Sequence, residues 1–126
     1  MKEIINSEKA PAPIGPYNQA NLVDGKLLFV SGQLPLNAAT GSLVTDTVEN
    51  EVNQIMENIK MVLSAANMSL ENVVKTTIFC TNLGDFKTIN EVYGSYFTGN
   101  YPARETVQVA ALPLGVHVEI SVIATK

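Results

Sequence analysis

Between Asp46 and Ala66 the apolar residues Val48, Val52, Ile55, Met56, Ile59, Leu63 and Ala66 recur every three or four positions, which gathers them on one stripe of a long amphipathic helix. Asp46 with Glu49 marks its start and Asn67 its stop. Ahead of this helix, Ala20 to Ser31 reads as two strands joined at Asp24-Gly25, a dipeptide that tolerates the positive φ of a tight hairpin; the second strand ends at Ser31-Gly32-Gln33. After it, Val73 to Cys80 is dense in β-branched residues and predicts a strand, in which Cys80 packs as a small apolar group. Asp85 then caps a shorter helix whose buried stripe is Phe86, Ile89, Tyr93, Tyr96 and Phe97, ended by Gly99. Two closing strands, Arg104 to Ala110 and His117 to Ala124, flank Leu112-Pro-Leu-Gly115.

This order predicts an α+β fold in two layers, with both helices on one face of a mixed sheet. A chain of 126 residues is expected to form one domain over 1–126. Residues 10–20 hold three of the six prolines, so they are predicted as a stiff, structured loop that presents Tyr17.

Alternation in the closing strands supplies the candidate chemistry. Arg104, Thr106 and Gln108 point one way and Val107 and Val109 the other; His117, Glu119 and Ser121 oppose Val118, Ile120 and Val122. If the two strands pair antiparallel across the 111–116 loop, Arg104 and Thr106 share a polar face with Glu119, within cross-strand reach. The same alternation is equally well read as a solvated face on which Arg104 and Glu119 form an exposed pair contributing ~0–1 kcal/mol. Placement favours a site: Arg104 follows Tyr101-Pro-Ala at the start of a strand, and Glu119 is flanked by apolar residues. A guanidinium fork binds a small carboxylate bidentately, and a neighbouring carboxylate orients water or moves a proton.

Composition narrows the classes of function. Net charge is −4 and the eight basic residues are scattered, so no stripe neutralises a phosphate backbone and no nucleic-acid partner is expected. No apolar run approaches the roughly 20 residues that span a bilayer, so no membrane partner is expected either. A lone cysteine and the lack of a signal segment point to a cytoplasmic setting. One cysteine and one histidine, far apart, give no metal-ligand cluster, and His117 is read as a surface or structural residue rather than a base. Charged residues make up only 16% of the chain, low for a small monomer, which predicts that part of the surface is buried between subunits.

Three segments then become specific together: Gly15-Pro-Tyr-Asn-Gln-Ala20, Ser31-Gly-Gln-Leu-Pro35, and Pro102-Ala-Arg-Glu-Thr-Val-Gln-Val-Ala-Ala-Leu-Pro113 leading into Val118-Glu-Ile120. Through them the chain resembles the reactive intermediate deaminase A family, the enamine/imine deaminases, over nearly its whole length. The resemblance implies a chorismate-mutase-like two-layer sandwich assembled as a homotrimer, with sites in the clefts between subunits. It implies hydrolysis of 2-imino and enamine acids, such as 2-aminoacrylate and its methyl homologue, released by pyridoxal-phosphate-dependent serine and threonine dehydratases. The products are 2-oxo acids and ammonia, and no cofactor is needed because the imine carbon is already electrophilic. By the same resemblance Arg104 clamps the substrate carboxylate and Glu119 positions water. Tyr17 closes the site from the proline-rich loop, and the turn at Ser31 and Gly32 brings backbone to the ligand. Asn90 lies near the pocket on the second helix, although an exposed helix asparagine is an equally ready reading. Thr106 stands where many relatives carry cysteine, so a thiol step is not available and the position hydrogen-bonds only. Asn18 replaces the serine usual after Gly-Pro-Tyr. Two rival functions remain: a module that binds 2-oxo acids without turnover through the same arginine, and the ribonuclease or translation-inhibitor role attributed to some relatives, against which the acidic balance counts.

Overall fold

The computed structural model describes residues 1–126. Six strands form one sheet: β1 (Lys2–Ile5), β2 (Ala20–Val23), β3 (Leu27–Gln33), β4 (Val73–Cys80), β5 (Ala103–Gln108) and β6 (Val118–Thr125); the helices are α1 (Val48–Ala65) and α2 (Phe86–Gly94). The strand order is β1-β2-β3-β6-β4-β5, antiparallel throughout except for the parallel pair β4 and β5.

Local chemistry accounts for most of these boundaries. The β2–β3 hairpin turns where expected: Asp24 and Gly25 both take positive φ, 53° and 66°, and the Lys26 N–H donates to the Val23 carbonyl at 3.0 Å. The cap of α1 is Thr47 rather than Asp46, since Thr47 Oγ1 accepts the Asn50 N–H at 3.0 Å while Asp46 takes the Asn50 side-chain amide. Asn67, with φ of 57°, stops it. The second helix is shorter than predicted. It ends at Gly94 rather than running to Gly99, and Tyr96 and Phe97 pack against the core from the loop beyond it, while Phe86 is 43% exposed. Strand β1 had no sequence signal, because only Ile5 of its four residues is buried and no alternation is long enough to register.

The two helices lie on one face for a topological reason. Antiparallel pairing of β3 with β6 and of β6 with β4 makes β3 parallel to β4, and β4 is parallel to β5. Each helix is therefore a crossover between parallel strands, and both crossovers advance in the same direction across the sheet. Right-handed connections moving the same way deposit their helices on the same side. Between helices and sheet sits the apolar core, built on Leu28, Ile55, Ile59, Leu63, Ile78, Ile89 and Ile120.

The pairing expected of the closing strands is not observed. β6 inserts between β3 and β4, and β5 lies on the far side of β4 as an edge strand, so β5 and β6 are not neighbours. Arg104 is level with Thr76 and shares its face, the face buried against the helices, whereas Glu119 is level with Phe79 on the opposite face. Arg104 and Thr106 thus stand on the helix side of the sheet and Glu119 on the open side. Val107, expected to meet the helices, is 40% exposed on that open side. Antiparallel β6 satisfies its backbone on both edges in the gap between β3 and β4, which a β5–β6 hairpin at the sheet edge would leave open.

Candidate functional site

Two of the chain's pockets hold the expected site residues, and the open face carries one of them. A cleft of about 340 Å³ is lined by Ile14, Tyr17, Ser31, Gly32, Leu34, Pro113 and Glu119. Its floor exists because β3 bulges: the register against β6 shifts between Val30 and Gln33. There the Ser31 N–H donates to the Gln19 carbonyl at 2.9 Å, one pair beyond Ala20 and Val30, and Ser31 Oγ donates to the Asn18 carbonyl at 2.6 Å, so the end of β3 also ties down the proline-rich loop. Gly32 follows, and a Cβ there would lie 2.1 Å from Glu119 Oε2. Only glycine lets the Glu119 carboxylate rest on the β3 backbone.

The loop itself is shaped by Gln19, which sequence reasoning did not single out. Its side chain is buried; Nε2 donates to the Ser7 and Pro11 carbonyls at 3.0 and 2.9 Å, and Oε1 accepts the Ser7 N–H at 2.7 Å. A loop rich in proline has more carbonyls than N–H groups, and a buried glutamine amide supplies the missing donors. Tyr17 completes the curl, its Oη accepting the Ile14 N–H at 3.2 Å.

On the helix side, Arg104 lines a second pocket of about 250 Å³ with Asn90, Tyr93, Gly94, Tyr101 and Pro102. The guanidinium carbon stands 5.2 Å from the Tyr93 ring centre and 5.8 Å from that of Phe86, so aromatic faces hold the cation without neutralising it. Tyr93 donates to Thr76 Oγ1 at 2.9 Å, and burial pushes its hydroxyl above the ordinary phenol value, so it offers Arg104 no phenolate. Asn90 Oδ1 and Thr106 Oγ1 are both buried without a hydrogen-bond partner. Asn90 is therefore not a plain exposed helix residue. Thr106 lies two positions along the same face from Arg104 and lines neither pocket.

The ion pairs of the chain join Met1 to Asp24, Lys60 to Glu57, Lys75 to Glu105 and His117 to Glu51. Arg104 and Glu119 are in none of them, which removes the exposed-pair reading. Burial alone pushes the Glu119 carboxyl above the ordinary carboxylate range. One chain thus presents Tyr17, Ser31, Gly32 and Glu119 together, and Arg104 with Asn90 apart from them. No helix is long and apolar enough to cross a membrane, and no cluster of three or more His, Cys, Asp or Glu could hold a metal ion.

Residues 7–126 match the family described as Endoribonuclease L-PSP. The Reactive Intermediate Deaminase A of Arabidopsis thaliana chloroplasts is 48% identical over 98% of this chain and 66% of its own length. The human 2-iminobutanoate/2-iminopropanoate deaminase is 44% identical over 100% of this chain and 91% of its own. Among solved structures, Escherichia coli TdcF with bound serine superposes with a TM-score of 0.93 at 42% identity, over 98% of each chain. Matched over residues 7–126 by the family model and 44–48% identical to these relatives over nearly its whole length, the chain belongs to the endoribonuclease L-PSP family, the family of the reactive intermediate deaminases.

Proposed function

We propose that this protein is a 2-iminobutanoate/2-iminopropanoate deaminase, hydrolysing reactive imino and enamine acids such as 2-aminoacrylate to 2-oxo acids and ammonia. The observation that carries the reading is that one guanidinium and one carboxylate, Arg104 and Glu119, each stand unpaired in a pocket of their own. Relatives named as imine deaminases at 44–48% identity support it, as does a relative that binds an amino acid.

In this reading Arg104 holds the substrate carboxylate in its fork. An enamine first tautomerises to the imine, its methylene carbon taking up a proton and its nitrogen giving one up. Water then adds its oxygen to the imine carbon and gives a proton to Glu119, while the C=N π pair moves onto nitrogen, which takes up a proton. The carbinolamine so formed expels ammonia, loses its hydroxyl proton and leaves the 2-oxo acid. Glu119 accepts the first proton and returns one to the departing nitrogen, work suited to a carboxyl whose affinity for protons is raised. Tyr17, Ser31 and Gly32 bound the space in which water and imine meet, and Asn90 lines the pocket beside the anchored end. Nothing at either pocket favours RNA, since one stacked guanidinium on a chain of net charge −4 makes no phosphate track.

Arg104 and Glu119 lie on opposite faces of one sheet, so a substrate of this size meets both only where two copies abut. That supports the trimer with sites in its clefts. Its test is complementation. Arg104→Ala and Glu119→Gln are each expected to be nearly inactive, yet refolding them together at equal amounts is expected to restore about one quarter of wild-type turnover, the chance that random assembly in a ring unites an intact arginine with an intact glutamate. Activity that stays at the level of the separate variants would show that both groups act from one chain.

Gly32→Ala tests the floor of the pocket. The added methyl meets the movable end of Glu119, 2.1 Å away, rather than backbone. The expected result is turnover lowered by at least about tenfold with the melting temperature changed by only a few degrees, because a carboxylate displaced by about 1 Å loses its line of attack while the fold accommodates it.

A further inference from the structure

A second carboxylate lies behind the strand that carries Glu119, and the reaction described above makes no use of it. Glu51, in the first turn of α1, is fully buried. Both of its oxygens engage one residue: Oε1 accepts the His117 backbone N–H at 2.9 Å, and Oε2 lies 2.5 Å from His117 Nδ1. The His117 carbonyl in turn accepts the Thr81 N–H at 3.1 Å, just past the end of β4. Residue 117 is therefore gripped from the helix layer and from the sheet together, while its ring remains half exposed.

The grip sits where position matters. Immediately before it runs the turn Pro113–Gly115, in which Leu114 and Gly115 both take positive φ, 60° and 71°, and whose own backbone bonds are long, 3.2 Å from Gly115 to Leu112 and 3.4 Å from Val116 to Pro113. A leucine in the left-handed region is held there by its surroundings rather than by preference. On one side of residue 117 this turn delivers Pro113 to the pocket, and on the other β6 delivers Glu119. A buried carboxylate is costly to keep unless its charge is fully engaged. Here that engagement fixes the entry of the strand bearing the proposed water-handling group.

We infer that Glu51 is a positioning residue for the Glu119 pocket: through His117 it sets where β6 enters the sheet, and so where Glu119 and Pro113 stand over Gly32. The inference rests on the deaminase reading of Glu119. Arg104 stacks on Tyr93 and Phe86 and shares no hydrogen bond or ion pair with Glu51 or His117, so loss of the Glu51–His117 grip is expected to lower kcat and spare KM.

The test compares Glu51→Ala, Glu51→Gln and His117→Ala for kcat and KM on enzymatically generated 2-aminoacrylate, each alone and in the Glu119→Gln background. Glu51→Ala is expected to lower kcat about tenfold or more with KM within about threefold of wild type. Glu51→Gln is expected to recover most of that loss, because its amide oxygen still accepts the His117 N–H. In ¹⁵N spectra of the sole histidine, the wild-type ring is expected to carry a hydrogen-bonded proton on Nδ1. With Glu51→Gln, whose NH₂ faces that nitrogen, the proton is expected to move to Nε2. In the Glu119→Gln background the kcat effect of Glu51→Ala is expected to vanish, which a general loss of stability would not produce. If Glu51→Ala does not fold, His117→Ala decides, with an expected loss of about threefold to tenfold in kcat. A folded Glu51→Ala, or in its place His117→Ala, with wild-type kcat overturns the inference alone; a wild type without turnover overturns the deaminase reading and this inference with it.

Discussion

Arg104→Ala is expected to lower kcat/KM on 2-aminoacrylate by about 10²–10³-fold. The guanidinium is in no ion pair within the chain, so the variant breaks no salt bridge that would mask the effect. A bidentate clamp contributes two charge-assisted hydrogen bonds of about 1.5–3 kcal/mol each, and part of this is offset by stripping water from both ions, which leaves about 3–4 kcal/mol, or 10²–10³ in rate. A substrate of so few atoms has no second anchor, and losing its carboxylate grip also loses its orientation. The chain should stay folded. Arg104 stacks over Tyr93 and Phe86, contacts of about 0.5–1 kcal/mol each at a partly exposed site, so the melting temperature is expected to fall by about 3–10 °C. Arg104→Lys should recover only a small part of the activity, because an ammonium is a point charge without the fork and stacks less well on the rings. The measurement is oxo-acid release with a serine dehydratase supplying substrate, against the uncatalysed rate. Full activity in Arg104→Ala would remove the proposed clamp. A wild type that binds a 2-oxo acid yet accelerates nothing would assign the same pocket to a binding module instead.

The elements legible in the sequence are those whose causes are local. The stripe from Val48 to Ala66 shows in the chain because burial of one helix face repeats every turn, and Asp24-Gly25 shows because few residue pairs tolerate two positive φ values in succession. Strand β4 matches its expected limits, Val73 to Cys80, for a similar reason: it is central in the sheet and must suit neighbours on both sides. Partnership is another matter. Alternation states that Arg104 and Thr106 share a face; it does not state which face, or which strand lies alongside. A short loop from β5 to β6 looks like a hairpin, but the gap between β3 and β4 is created by α1, far away in sequence. The error had one further source. On β5 Arg104 and Thr106 turn toward the aromatic side of α2, while Val107 turns outward with the exposed Glu105, so polarity does not separate the two faces of this strand. Phe29, 43% exposed, stands on the same open face three strands away from Val107, so that face keeps isolated apolar groups in the open. Thus the residues of the candidate site could be read from their motifs, while their division between two faces required the sheet order.

Glu119→Gln is expected to lower kcat by about a hundredfold or more while leaving KM near its wild-type value. The amide matches the carboxylate in size and still fits over Gly32, so the pocket keeps its shape and loses only its proton acceptor; general acid–base groups contribute roughly 10²–10⁴ in rate. The pH profile follows from the direction of the shift. Burial raises the Glu119 carboxyl, so the basic form that takes the water proton is lost on acidification at a pH above the ordinary carboxylate value, and wild-type kcat/KM should fall there first. Stability should run the other way. A carboxyl with a folded-state value above its unfolded value binds protons more tightly when folded, and its ionisation opposes folding as pH rises through the folded value. Glu119→Gln cannot ionise and escapes that cost. It is therefore expected to melt higher than wild type at pH 7, with the difference shrinking as pH falls toward the unfolded carboxylate value near 4.5 and vanishing below it. A variant less active and more stable at neutral pH, and indistinguishable in stability at acid pH, would identify Glu119 as a charge the fold tolerates for its chemistry. Equal stability at every pH together with full activity would return it to the ordinary surface of the sheet.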